Sequence, residues 1–254
     1  MSHPAPEKKL IHCKNCGNSF HGYYCNACGQ DAHTDRIDKH FIYHELQHGL
    51  LHIDKGILYT LMELFISPGR TIRLFVEGKR VRHFKPLAFL LVMAGLYAFV
   101  NHFFNANVLL TGQTGVKNAD TSIQAVNDYL KEHFEIFVLL ELPLISFVYY
   151  LFFKRYGTNY IEQLVINAYI SGLHTFIKLL LLPVSYYFST TGHILDQATP
   201  ILILIWTYPQ YYHEQPRFQI IWRAILGYVI FYFLLIIILS LVITVLTNFP
   251  KMIV

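Results

Sequence analysis

Six basic side chains stand immediately before an uncharged run long enough to cross a bilayer, and this junction constrains the chain more than any other feature. From Pro68 to Pro86 the sequence carries Arg70, Arg73, Lys79, Arg80, Arg82 and Lys85 against one acid, Glu77. The run that follows, Leu87 to Phe104, contains no charge. Basic residues flanking a membrane span stay on the cytoplasmic side, so the segment sets the orientation of everything after it. It also separates a polar front from an apolar back. With 54% hydrophobic and 14% charged residues, the 254-residue chain departs from soluble-domain composition, and the excess lies after Pro86.

Hydropathy predicts five spans, at residues 86–104, 134–153, 161–188, 194–211 and 220–247. The fourth is the weakest, shortened by Asp196, Pro200 and Pro209. The segments placed in the cytoplasm hold ten basic residues between Arg70 and Arg223, against three (Lys117, Lys131 and Lys251) on the opposite side. This asymmetry favours an inside N-terminus and an outside C-terminus. The first residues have no apolar stretch behind their charges, so they do not read as a cleavable signal. The positive charge sits beside spans, which directs it to anionic headgroups and not to nucleic acid.

All four cysteines lie within sixteen residues, as Cys13-x-x-Cys16-Gly17 and Cys25-x-x-Cys28-Gly29. The x-x spacing lets two thiolates of one knuckle reach the same ion, and the glycine supplies the positive φ of the turn. Two such knuckles form a closed four-thiolate set, the pattern of one structural zinc ion. A dithiol redox pair or an iron site are the competing readings. With only eight residues between the knuckles, metal and not a hydrophobic core must hold the module together. The cysteine usage points to a reducing cytoplasm.

Between this module and the basic stretch, His40, His44, His48 and His52 recur every four residues, forming a stripe on one helix face. Residues 44 to 48 spell H-E-x-x-H, which in zinc proteases supplies two ligands and a base. The leading reading is an amphipathic interfacial helix; a second metal at His44, His48 and His52, or a pH sensor, comes next, and proteolysis last. Two further short helices, over residues 57–66 and 71–77, are expected to be separated by Ser67-Pro68-Gly69 and stopped by Gly78. Together they suggest a collar on the cytoplasmic leaflet, or else a small helical domain continuous with the cysteine module. Another short amphipathic helix is expected near residues 123–134.

Polar residues inside the spans are few: Glu141 in the second, and Asn167, Ser171, His174, Thr175 and Lys178 along the third. They either pair to lock the bundle or line a path. Glu141 and Lys178 lie at similar depth, which predicts that they approach each other, directly or through one polar neighbour, in the outer half of the bundle. Ala168-x-x-x-Gly172 suits close helix packing. No nucleophile elbow, phosphate loop or carboxylate pair suggests catalysis.

The motifs C-x-N-C-G and Y-C-x-A-C-G-Q, then Asp54-Lys55-Gly56, Ser67-Pro68-Gly69-Arg70-Thr71-Ile72-Arg73, Glu77-Gly78-Lys79-Arg80-Val81-Arg82 and Lys85-Pro86-Leu87, resemble a bacterial family of zinc-ribbon multipass membrane proteins of unknown function. The resemblance covers about residues 13 to 105 and implies a zinc ribbon joined to an inner-membrane bundle, with no activity attached. The histidine stripe is not part of it.

The combined expectation is an all-α integral membrane protein of the bacterial inner membrane. A zinc ribbon (residues 1–33) and interfacial helices with a basic collar (34–85) precede a five-span domain (86–254). Its expected role is non-enzymatic: a scaffold, adaptor or assembly subunit that binds a partner protein or anionic lipid, with homo-oligomers compatible. A small transporter or channel using the third span is the alternative, and a metalloenzyme at H-E-x-x-H the third choice.

Overall fold

The computed structural model describes residues 10–32, 34, 36–37, 41, 56–104 and 134–248. The histidine stripe, with His44, His48 and His52, and the amphipathic helix expected near residues 123–134 lie outside the described residues.

Helices make up most of the described chain. A two-residue antiparallel pair, β1 (Ile11–His12) and β2 (Ser19–Phe20), belongs to the cysteine module. Seven α-helices with described bounds follow: α1 (Gly56–Ile66), α2 (Pro68–Glu77), α3 (Pro86–Phe104), α4 (Phe134–Phe153), α5 (Tyr160–Tyr187), α6 (Ser189–Tyr211) and α7 (Arg217–Asn248). Three of them, α4, α5 and α7, are long and apolar enough to cross a membrane, and α1 and α3 are shorter apolar helices.

Helix α5 is the hub. It packs against α2, α3, α4 and α6, and half of its most apolar stretch is buried, against 11% for α7. The small residues Ala168 and Gly172 explain how α3 comes so close. A Cβ on Gly172 would sit 2.6 Å from the Phe89 ring, and Ala168 is buried with Leu87 and Leu90. The small-x-x-x-small pattern is therefore used inside the monomer. Helix α7 presents Phe218, Trp222, Val229, Phe233 and Ile236 outward, as a helix facing lipid would.

Two boundaries differ from the sequence-based expectation. Ser67-Pro68-Gly69 is not a three-residue break: Ser67 alone is non-helical and Pro68 opens α2, because proline's fixed φ suits a first helical turn. The Thr71 hydroxyl donates to the Ser67 carbonyl at 2.9 Å, reinforcing that turn. Likewise α6 begins at Ser189 and not near Ile194, leaving Phe188 as the entire connection from α5. Gly192 permits this tight hairpin, since a Cβ there would stand 2.4 Å from the Ser185 Cα.

The end of the bundle where α2, α4, α5 and α6 meet is sealed by aromatic rings. Tyr149 meets Tyr208, Tyr208 meets Phe153 and Phe153 meets Tyr212, at centroid distances of 4.8–4.9 Å. Beside them, Tyr208 donates to Gln163 Oε1 at 3.2 Å and Asn167 Oδ1 at 3.3 Å, and Gln163 Nε2 donates to Tyr212 Oη at 2.6 Å and Thr158 Oγ1 at 3.0 Å. All five polar side chains are buried and bonded, which rigidifies this end of the bundle.

Candidate metal centre and its docking on the helices

The two knuckles are built alike. In the first, the Gly17 amide donates to the Cys13 carbonyl (2.9 Å) and the Cys13 amide to Asn18 (2.9 Å). In the second, Gly29 donates to Cys25 (2.8 Å) and Cys25 to Gln30 (2.8 Å). Gly17 and Gly29 share φ = 76°, a conformation costly for any residue with a Cβ. The β1–β2 pair and an isolated bridge between Tyr24 and Asp31 flank the knuckles.

This repetition brings the four sulfurs within 4.8 Å of one another. Cys13 and Cys28 are 3.5 Å apart and Cys16 and Cys25 3.6 Å, with no disulfide formed. Four sulfurs at about 2.3 Å from a tetrahedral ion would be roughly 3.8 Å apart, so the donor set fits a four-thiolate metal. The four cysteines can therefore hold one metal ion. The second knuckle favours thiolates, whereas the Cys16 thiol, against the pull of the Asn18 amide, is pushed up to about 12 by burial and by its sulfur neighbours. Burial pushes the Cys25 thiol up, but the Ala27 and Cys28 amides and the Cys16 and Cys28 side chains outweigh it and bring it down to about 6. The Cys28 thiol is lowered by the Asn15 side chain and the Gln30 amide. Once charged, such a set supplies four sulfur donors to one ion.

The module does not hang free. Gln30, 2% exposed, donates from Nε2 to the Gly78 carbonyl at 2.6 Å and accepts the Arg80 amide at 3.3 Å. The Lys14 ammonium donates to the Thr34 carbonyl, and its stem packs on Gly78, where a Cβ would come within 2.8 Å. Gly78 has φ = 113° and caps α2. Further along, Arg36 forms a fork on Glu162, with Nε to Oε1 at 2.7 Å and Nη2 to Oε2 at 3.0 Å, and also donates to the Gly157 carbonyl. Glu162 simultaneously closes a capping box with Asn159 at the start of α5. The Glu162 carboxylate holds the Arg36 guanidinium still more firmly in its charged form. One arm of the chain is thus bolted to both the α2 C-terminus and the α5 N-terminus.

The six basic residues divide into two groups. Arg70, Lys79 and Arg82 are exposed and Lys85 is half-buried. Arg73 and Arg80 are turned to structural use, contrary to the expectation that all six face headgroups. Arg73 donates to the Gln210 carbonyl at 3.3 Å and to His213 Nδ1 at the end of α6. Arg80 lies over Phe41 and Phe75, at 5.0 and 5.7 Å from the ring centroids. The reason is proximity. α2 crosses α6 so closely at Gly69 that a Cβ there would lie 2.1 Å from the Thr207 carbonyl oxygen, which brings Arg73 to Gln210, while Arg80, past the other end of α2, folds back to the Phe75 carbonyl at 3.3 Å.

Among the intramembrane polar residues, Asn167 joins the buried network, donating to the Gln163 carbonyl (2.9 Å) and to Ser146 (3.4 Å). Lys178 forms an ion pair with Asp196 of α6 at 3.0 Å, a partner the sequence reading does not name. Glu141, half-buried on α4, lies in the field of the same ammonium, and His174 Nε2 has no hydrogen-bond partner among the described residues. The α5–α6 hairpin decides the pairing: Lys178 lies ten residues before Phe188 and Asp196 eight after it, so antiparallel helices bring them to one level. A turn placed at Phe188 would have revealed this from sequence. Nothing comparable announces Glu162 or Gln30 as docking residues. A cavity of about 300 Å³ opens beside the Arg36–Glu162 fork, bordered by Arg73, Glu77, Tyr211 and Glu214.

A family model described as "Protein of unknown function (DUF3667)" matches residues 54–98. The matched stretch takes in α1, α2, the basic loop and much of α3, and leaves the cysteine module outside. It contains the surfaces that receive the rest of the chain: Gly69 against Thr207, Gly78 under Gln30, and Phe84, whose amide bonds Thr60 (2.7 Å) and whose carbonyl accepts from Tyr169 (2.6 Å). No curated protein and no solved structure gives a significant match.

Proposed function

We propose that this chain is a non-enzymatic protein of the bacterial inner membrane, in which a cytoplasmic zinc ribbon fixes the shape of a basic, membrane-facing platform that recruits a partner protein or anionic lipid. The observation that carries this reading is the docking of the cysteine module through Gln30 onto Gly78 and Arg80, the backbone of the collar itself. A zinc site with four thiolates and no open position supplies fold and not chemistry. The five helices α3 to α7 are taken as spans, with the N-terminus inside, as the distribution of basic residues favours. Helix α6, less apolar, crosses within the bundle, its Asp196 neutralised by Lys178.

Recovery of the full chain from native membranes, followed by cross-linking and protein identification, tests the adaptor role. A stoichiometric partner or enriched acidic lipid should accompany the wild type and be lost from Cys25→Ser/Cys28→Ser, while both proteins insert equally. A wild-type protein that retains neither is not an adaptor.

The transporter reading draws support from the Lys178–Asp196 pair with Glu141 nearby. Neither the 300 Å³ cavity nor the larger groove between α6 and α7 is lined by these residues, which favours the bundle-locking role.

A further inference from the structure

Between α6 and α7, under the first turn of α2, lies a groove of about 480 Å³ whose chemistry is segregated by depth. Its deeper walls are apolar: Ile205 and Trp206 from α6 and Ile221 from α7. Its rim carries Arg70 of α2 and Arg217 of α7. Ile221 lies one turn into the membrane from Arg217, about 6 Å at the helical rise, and Ile205 lies six residues inward from the α6 end, about 9 Å. Trp206 is 40% exposed, the position an aromatic anchor takes at a membrane interface.

We propose that this groove is a binding site for a membrane phospholipid with an anionic headgroup, its phosphate held between Arg70 and Arg217 and its upper acyl carbons laid over Ile205, Trp206 and Ile221. The proposal rests on the membrane-facing platform described above and names its ligand and its place. Charge complementarity singles out this occupant. Arg70 and Arg217 are exposed and make no hydrogen bond or ion pair among the described residues, whereas Arg36, Arg73 and Arg80 are all engaged by protein groups. No acidic side chain lines the groove, in contrast to the neighbouring cavity with Glu77, Glu162 and Glu214. The rim is also held in place: the Ser67 hydroxyl donates to Gln210 Oε1 at 3.1 Å, and the close Gly69–Thr207 approach fixes the turn that carries Arg70. Basic pockets between helices on the cytoplasmic side suit acidic headgroups, and guanidinium matches phosphate in a two-pronged geometry.

The chain has two tryptophans, so Trp222→Phe leaves Trp206 as a reporter inside the groove. The full-length protein is reconstituted in phosphatidylcholine vesicles containing a minor fraction of brominated phosphatidylglycerol, or the same fraction of brominated phosphatidylcholine, and fluorescence quenching is compared. The acidic lipid should quench Trp206 several-fold more strongly. Arg70→Gln and Arg217→Gln should each lower that preference about fivefold, while the lysine variants at both positions keep most of it. Lys79→Gln/Arg82→Gln, outside the groove, should leave it unchanged. Equal quenching by the two lipids overturns the site, as does an equal loss from the Lys79/Arg82 variant, which would show diffuse attraction and leave the wider platform reading standing. Loss of the preference on adding inorganic phosphate at constant ionic strength would assign the rim to a soluble anion instead. If no variant alters retention on acidic vesicles at all, the platform reading falls too.

Discussion

The Gln30 side chain spans Gly78 and Arg80 with both ends of its amide, giving a proton to one backbone and taking one from the other. Because Gln30 is also the residue whose carbonyl accepts the Cys25 amide, the turn that shapes the metal site and the contact that docks it are one unit. Loss of metal is therefore expected to loosen the basic loop as well.

Gln30→Ala should separate docking from metal binding. The variant leaves the four thiols intact but strands a buried carbonyl and amide, at a cost of roughly 1–3 kcal/mol each. Metal content should stay at wild-type level while hydrogen exchange at residues 78–80 accelerates. Unchanged exchange there would mean that the Lys14 and Arg36 contacts suffice.

Purified protein should contain one zinc per chain, removed by chelation and absent from Cys25→Ser/Cys28→Ser. A second equivalent that disappears with His44 and His48 would instead reveal a site on the histidine stripe.

Metal affinity should fall as pH falls. The Cys25 thiol, lowered to about 6, favours the folded module at pH values above the ordinary thiol range, and that contribution is lost as pH drops through about 6. Protons then compete directly with the ion. Competition against a chromophoric chelator across a pH series should show affinity rising with pH and decreasing steeply on the acid side. A flat profile would indicate that the thiols are not the ligands.

Lys178→Met should destabilise the bundle by about 3–5 kcal/mol, because it leaves the Asp196 carboxylate buried without its cation. Lys178→Met/Asp196→Asn should recover most of that loss in thermal unfolding in detergent, and Glu141→Gln should matter much less. A Lys178→Met phenotype rescued only by changing Glu141 would restore the pairing expected from sequence.

Orientation is tested with fusions. A reporter after Val254 should read as periplasmic and one between Lys154 and Asn159 as cytoplasmic. A cytoplasmic C-terminal reporter would remove α6 from the set of spans.

Much of this organisation is local and so was legible in the residues. Cys-x-x-Cys-Gly dictates a knuckle because two sulfurs and one positive φ suffice to make it, and uninterrupted apolar runs become helices because lipid or core leaves backbone groups no other partner. Pairing across the molecule is a different matter. Which cation meets Asp196 depended on a one-residue turn at Phe188, made possible by Gly192 lying against Ser185. That Arg73 is engaged by Gln210 while Arg70 and Arg217 remain open depended on how closely Gly69 lets α2 approach α6. Charge type and hydropathy are written along the chain. The partner of each charge is set by distances between helices far apart in sequence, and only the tertiary structure decides those.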